Sequence, residues 1–177
     1  PPSYVHEHQI YQIPINIMVD GVSFEDKITV DSDFLNAHLD TASSAQLNTE
    51  QAKRFLEPIF AHYSQVLVLT VSSHMSGTYS RFKEALAELD PDAKRSALID
   101  TRVNSGAEGL LVRAAVEQIE AGRPFTEIVQ ALEAMRGRAG ILVSVPDLGP
   151  MVRSGRISEK VGDVLIRLGF RPLVSIT

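Results

Sequence analysis

Apolar and polar positions alternate along the chain in a way that predicts short strands separated by amphipathic helices. The run "QVLVLTV" at 65–71 has no polar alternation, which is typical of a strand buried on both faces of a parallel sheet. "SALID" at 96–100 and "GILVSV" at 140–145 are further predicted strands. Strands that alternate with helices indicate an α/β fold in which a mostly parallel sheet is flanked by helices.

The N-terminal part predicts a hairpin rather than a crossover. Within "IPINIMVDGVSFED" at 13–26, the pair Asp20-Gly21 separates two apolar-rich runs, and this is the strongest short signal for a two-residue β-turn. Asp31 or Ser32 is then placed to cap a helix that reaches about Leu39.

Apolar residues at helical spacing predict four longer helices. One opens at Asn48 or Thr49, and another closes at Gly122. Thr126 is a candidate cap for a helix that ends near Met135. The apolar faces of the first two helices comprise Ala52, Phe55, Leu56, Ile59 and Phe60, and then Tyr79, Phe82, Leu86 and Leu89.

Composition narrows the class of protein. A chain of 177 residues, 44% hydrophobic and 22% charged, fits one folded domain or one domain with part of a second, and argues against disorder. No apolar run is long enough to cross a bilayer, so no membrane-spanning segment is expected. The absence of cysteine excludes disulfides and thiolate metal sites and favours the cytoplasm. A net charge of −5 with scattered Lys and Arg argues against a nucleic-acid partner.

The segment "SSHMSGT" at 72–78 is the main candidate for chemistry. It lies between a predicted buried strand and a predicted helix, where free N–H groups and the helix dipole favour an anion. Hydroxyls add neutral donors, and Gly77 allows the backbone to approach a ligand closely. A phosphate or a carboxylate is therefore the expected occupant. The alternative is that these hydroxyls only cap the helix and complete a turn.

Other chemistry near this segment stays open at the level of sequence. No Lys follows Gly77, so the segment is not a P-loop, although a small anion or a nucleotide remains a candidate ligand. A serine nucleophile with His74 as base is a second alternative, without the G-x-S-x-G elbow of many hydrolases. Asp100 is placed either to orient the site or to cap the next helix. Asn104 and Ser105 are candidate polar lining, and the histidines show no metal-ligand spacing.

The chain resembles the DegV family of bacterial fatty-acid-binding proteins, and the resemblance extends over nearly its whole length. The segments that carry it are "IPINIMVDGVSFEDKITVDSDFLNAHL" at 13–39, "SSHMSGTYSRF" at 72–82, "IDTRVNSGAEGLLV" at 99–112, and "GRIS" at 155–158 ahead of "RPLVSI" at 171–176.

This resemblance implies a two-domain α/β protein that holds one long-chain fatty acid between its domains and needs no metal or other cofactor. The fatty acid would be presented to a fatty acid kinase, either a separate catalytic subunit or a fused kinase-like domain, which forms an acyl phosphate. The protein itself would be a carrier and not an enzyme. Residues 1–124 would form the first domain without its first strand, and 125–177 the start of a truncated second domain.

The resemblance also assigns roles to residues. It places the ligand carboxylate on Ser43 and Ser76, with Ser44, Ser73 and Thr78 nearby. It gives Arg156 a role in docking the kinase, whereas a plain surface cation is the alternative. Candidates for lining the acyl chain, each of which could instead be ordinary core, are Ile141, Val143, Val145, Leu165, Ile166, Leu168 and Phe170.

Overall fold

The computed structural model describes residues 2–26, 28–145, 147–153, 155 and 157–176. Helices and strands are interspersed along these residues, so the predicted α/β class is confirmed. The helices are α1 Pro2–Glu7, α2 Ser32–Ala37, α3 Thr49–His62, α4 Thr78–Leu89, α5 Ser105–Glu120, α6 Phe125–Arg136, α7 Gly149–Arg153 and α8 Glu159–Arg167. The strands are β1 Asn16–Val19, β2 Val22–Glu25, β3 Ser43–Ala45, β4 Val66–Thr70, β5 Ser96–Asp100, β6 Ile141–Ser144 and β7 Leu173–Ile176.

The predicted N-terminal hairpin is confirmed. β1 and β2 pair antiparallel, with Val19 opposite Val22. Asp20 and Gly21 between them have φ angles of 50° and 81°, the left-handed pair that lets a two-residue turn follow the twist of the strands. β3 adds to the other edge of β1, with Ser43 opposite Met18.

The helix starts follow from side-chain caps where the sequence offers them. Asp31 accepts a hydrogen bond from the N–H of Phe34 at the start of α2, and Asn48 forms a reciprocal capping box with Gln51 at the start of α3. Both starts are confirmed. Each cap satisfies N–H groups that the first turn of a helix leaves unpaired.

The ends of α5 and α6 test two further predictions. Gly122 follows α5 with a φ angle of 66°, so the predicted glycine stop is confirmed. The prediction of Thr126 as the cap of α6 is wrong, because the helix begins at Phe125 and Pro124 occupies the cap position without a side-chain hydrogen bond. Proline fixes a φ angle that suits a helix start, so no hydroxyl is needed there.

The prediction of a mostly parallel sheet is confirmed in part. β4 and β5 are parallel, from Val66 opposite Ser96 to Thr70 opposite Asp100, and α4 supplies the crossover that parallel strands need. The other described sheets, β2-β1-β3 and β6-β7, are antiparallel. A two-residue turn joins β1 to β2, and such a turn permits only antiparallel pairing.

Helices cover both faces of the β4–β5 pair. Val66 and Val68 pack with buried residues of α3 and α4, whereas Leu67 and Leu69 pack against the cluster that α5 and α6 share with Ile99. The alternation along β4 therefore buries both faces, as the apolar run predicts. No described helix combines the length and apolar character that crossing a bilayer requires. The register of the pair sets the carboxyl ends of β4 and β5 side by side.

Candidate functional site

The loop after β4 and the loop after β5 meet at the carboxyl ends of these strands. The N–H of Ser72 donates to the carbonyl of Val103 at 2.9 Å. The buried Thr101 donates to the carbonyl of Thr70 through its N–H at 3.1 Å and through its hydroxyl at 2.8 Å. These bonds tie the two loops into one unit, at the edge of a parallel sheet where α/β proteins bind ligands.

The loop after β4 is folded into a tight turn around Ser72. The carbonyl of this buried residue accepts hydrogen bonds from the N–H groups of Met75 and Ser76 at 3.0 and 3.1 Å. Its hydroxyl oxygen accepts from the N–H of His74 at 3.3 Å. Ser76 therefore has a defined place relative to the end of β4.

Asp100 joins the two loops through its carboxylate. Oδ1 accepts hydrogen bonds from the N–H groups of Ser73 and Arg102, each at 3.1 Å, and Oδ2 accepts from the Ser73 hydroxyl at 2.6 Å. Burial alone would raise the pKa of Asp100, but the bonds from Ser73 and Arg102 outweigh it and hold this pKa below its usual range. Of the two alternatives for Asp100, the structure favours orientation of the site, because Asn104 occupies the cap position of α5.

Two residues after β5 lie in the left-handed region, one in the loop and one at the first position of α5. Arg102 and Ser105 have φ angles of 60° and 52°, and a non-glycine residue in that region costs about 1–3 kcal/mol and is commonest at functional sites. Within the described residues, the buried oxygens Thr70 Oγ1 and Asn104 Oδ1 have no hydrogen-bond partner. No residue type in "TRVNS" signals this backbone conformation.

Ser76 and Thr78 form a hydroxyl pair at the start of α4. Their oxygens lie 2.8 Å apart, and Ser76 Oγ also accepts from the N–H of Thr78 at 3.3 Å. Because one hydroxyl proton is used within the pair, the other remains available to an outside acceptor whichever residue donates. Both residues are half-buried.

The first turn of α4 adds backbone donors beside this pair. Gly77 occupies the cap position, so no side chain caps the start of this helix. The N–H groups of Tyr79 and Ser80 have no partner among the described residues. A hydroxyl proton and free N–H groups at a helix N-terminus together suit an anionic oxygen.

The end of β3 reaches the same loop through Gln46. A Cβ atom on Gly77 would overlap the side-chain amide nitrogen of Gln46 and lie 2.6 Å from its Cδ. Ser43 and Ser44 are both exposed on β3, where neighbouring side chains point to opposite faces. At most one of these two serines therefore faces a ligand on a given side of the sheet.

Replacing Gly77 with alanine is expected to displace Gln46 and to weaken ligand binding. The φ angle of Gly77 is −74°, which alanine adopts freely, so the free energy of unfolding should change by less than about 1 kcal/mol. Urea unfolding and ligand titration of the same variant measure the two effects. In a Gln46→Ala background the three nearest contacts of the added methyl group are removed, so a Gly77→Ala change that weakens binding equally there would contradict this contact.

Glu108 is a titratable group near the site that sequence reasoning missed. It lies in the first turn of α5, and its carboxyl group makes no hydrogen bond to a described residue. Burial raises its pKa to about 7. The residue type and spacing of Glu108 resemble those of a surface helix position, so nothing in the sequence marks it as desolvated.

The remaining assigned residues lie on later elements. Ile141 and Val143 are half-buried on β6, and Leu165 is half-buried on α8. Ile166 and Phe170 are 50% and 57% exposed. A role for these residues, and for Val145 and Leu168, in lining an acyl chain stays a prediction. Arg156, the expected kinase-docking residue, lies outside the described residues. No cluster of three or more potential metal ligands occurs in the part of the chain that the structure describes.

Sequence comparison relates this chain to a longer bacterial protein. A DegV domain-containing protein of Clostridium acetobutylicum is 26% identical over 175 residues, which are 97% of this chain and 62% of the relative. The chain thus spans less than two thirds of that protein's length.

Two solved structures share the fold. A stearic acid-binding protein of Eubacterium ventriosum aligns with a TM-score of 0.86 at 21% identity, over 100% of this chain and 63% of that one. The fatty acid kinase B3 protein of Streptococcus pneumoniae, loaded with linoleic acid, aligns with a TM-score of 0.74 at 24% identity, over 92% and 62%.

A sequence model for the DegV family, whose members it describes as uncharacterised, matches residues 1–177. The match covers the hairpin, both central loops and the segment after α6. The chain belongs to the DegV family.

Proposed function

We propose that this protein binds a long-chain fatty acid and holds its carboxylate on the loop between β4 and α4. The observation that carries the proposal is the hydroxyl pair of Ser76 and Thr78, which keeps one proton for an outside acceptor beside the free N–H groups of α4. A carboxylate accepts several such hydrogen bonds at once. The stearic acid and linoleic acid of the two related structures are ligands of this chemistry.

Within this proposal the assigned serines have different roles. Ser76 and Thr78 bind the carboxylate, and Ser43 approaches it from the first position of β3. Ser73 has its hydroxyl proton committed to Asp100, so it supports the loop and does not contact the ligand. Ser44 lies on the other face of β3 from Ser43 and is assigned no contact.

The acyl chain supplies most of the affinity. Burial of about fifteen methylenes contributes on the order of 12 kcal/mol before the costs of association and ordering. Ile141 and Val143 on β6, with Leu165, Ile166 and Phe170, are the apolar residues proposed to cover it. The loop then fixes the orientation of the carboxylate and distinguishes a fatty acid from an uncharged lipid.

We further propose that the bound fatty acid is presented to a fatty acid kinase, and that Arg156 contributes to that encounter. The relationship to the pneumococcal fatty acid kinase B3 protein supports this partner. A planar guanidinium that binds oxyanions in pairs suits a partner that handles phosphate. In this scheme the kinase performs the chemistry, and the DegV protein, which we place in the cytoplasm, carries the substrate.

The geometry favours a carrier over a serine hydrolase. A nucleophile and its base lie within hydrogen-bond distance of each other in such enzymes. No hydrogen bond joins the imidazole of His74 to a described hydroxyl, and the Ser76 hydroxyl is paired with Thr78. Among the described residues, the Ser73 hydroxyl donates to Asp100, an acceptor that holds the proton in place.

Native mass spectrometry of the purified full-length protein, followed by extraction and identification of bound lipid, tests the proposal. We expect one long-chain fatty acid per protein, and loss of that ligand when Ser43 and Ser76 are both changed to alanine. A full-length protein that carries no lipid and takes up none, but binds inorganic phosphate, would instead support a small-anion site.

A further inference from the structure

We infer that Asp100 is a positioning residue for ligand binding, which acts through Ser73 without touching the ligand. The inference rests on the proposed function and concerns the same site. The juxtaposition that carries it is the Asp100 carboxylate at the end of β5, which accepts two backbone N–H bonds and one hydroxyl bond from two different loops.

Asp100 is connected to the hydroxyl pair of Ser76 and Thr78 through Ser73. Asp100 fixes both the backbone and the side chain of Ser73, and Ser73 lies within the turn that the Ser72 carbonyl closes on Ser76. A shift of Ser73 therefore moves the turn that sets the position of Ser76. Since Thr78 is bonded to Ser76, the whole donor set depends on the Asp100 contact.

The contact with Ser73 requires a carboxylate at position 100. Oδ2 receives the proton of the Ser73 hydroxyl at 2.6 Å, and hydrogen bonds to a charged acceptor are the stronger kind. In an Asp100→Asn variant an amide NH₂ replaces one carboxylate oxygen, so the bond to Ser73 must reverse its direction. The variant keeps the shape of the side chain and one acceptor for the backbone N–H groups.

The chain provides a matched control in Asp90. Its carboxylate accepts from the Ser96 hydroxyl at 2.7 Å and from the N–H groups of Arg95 and Lys94 at 2.9 and 3.2 Å. These are two backbone N–H groups and one hydroxyl, as at Asp100, but they lie at the opposite end of β5, where Ser96 is the first residue of the strand. An Asp90→Asn change should affect folding stability in a similar way without affecting the ligand.

The experiment is a palmitate titration of the full-length wild-type protein and of four variants: Asp100→Asn, Ser73→Ala, the double variant and Asp90→Asn. We expect Asp100→Asn and Ser73→Ala each to raise the dissociation constant about tenfold. The double variant should bind no more weakly than Asp100→Asn, because the two residues act through one contact. Asp90→Asn should stay within about twofold of wild type.

The outcomes separate this inference from the proposed function. If wild type binds palmitate and Asp100→Asn binds equally well, or if Asp90→Asn loses as much affinity as Asp100→Asn, the positioning role is wrong and the carrier function stands. The same holds if the effects of Asp100→Asn and Ser73→Ala multiply in the double variant. If wild-type protein binds no palmitate at all, both proposals fail.

Discussion

Changing Ser76 to alanine and Thr78 to valine together is expected to weaken palmitate binding by about 10-fold to 100-fold, because a hydrogen bond to a charged group contributes about 1.5–3 kcal/mol. Each single change should have a smaller effect. The two hydroxyls share one internal hydrogen bond, so the residue that remains can turn its own proton to the ligand. The loss in the double variant should therefore exceed the product of the two single losses.

Titration of palmitate into the full-length variants measures this effect. Ser64→Ala is a suitable control, because Ser64 is an exposed serine just before β4, at the end of the sheet away from the site. Unfolding in urea checks that the double variant stays folded at the ligand concentrations used. Wild-type affinity in the folded double variant would show that the carboxylate is held elsewhere.

Changing Glu108 to glutamine is expected to stabilise the protein, and to do so more strongly at pH 8 than at pH 5. Burial raises the pKa of Glu108 from 4.5 to about 7, so the folded state retains a proton that the unfolded state releases between these values. The contribution of Glu108 to folding stability is fully present below about pH 4.5 and is lost as pH rises to 7.

Glutamine resembles the protonated acid and cannot lose that proton. The raised pKa of Glu108 corresponds to a loss of folding stability of at most about 3 kcal/mol at pH 8, which partial solvent contact reduces to about 1–2 kcal/mol. Urea unfolding at pH 5 and pH 8 measures the difference. Glu117→Gln, which removes only an exposed ion pair with Arg113, should shift stability by less than about 1 kcal/mol. An equal effect of Glu108→Gln at both pH values would mean that Glu108 is solvated.

Local features of this fold are readable from sequence because few residues determine them. Asp20 and Gly21 alone specify the hairpin turn, and Asn48 with Gln51 specifies the start of α3. The unbroken apolar run of β4 signals burial on both faces, which the two core clusters confirm. Antiparallel pairing of β6 with β7 was not predicted, since partners so far apart in sequence leave no local pattern.

In the candidate site, too, local features are readable from sequence and contacts between distant residues are not. The segment that contains Ser76 and Thr78 could be selected because it is rich in hydroxyls and follows a buried strand, whereas the family resemblance assigned these two residues. The bond from Ser73 to Asp100 spans 27 residues, and the contact of Gln46 with Gly77 joins β3 to a loop that lies beyond α3 and β4. Only the folded arrangement shows these contacts. The division into domains at 1–124 and 125–177 and the lining of an acyl chain stay predictions.

A crystal structure of the full-length protein with bound palmitate tests the central claim most directly. We expect a carboxylate oxygen of palmitate within about 2.5–3.2 Å of the hydroxyls of Ser76 or Thr78 and close to the first N–H groups of α4. The hydrogen bonds of Asp100 to Ser73 should be unchanged. A carboxylate bound away from this loop, with the acyl chain across Ser76 and Thr78 instead, would contradict the account.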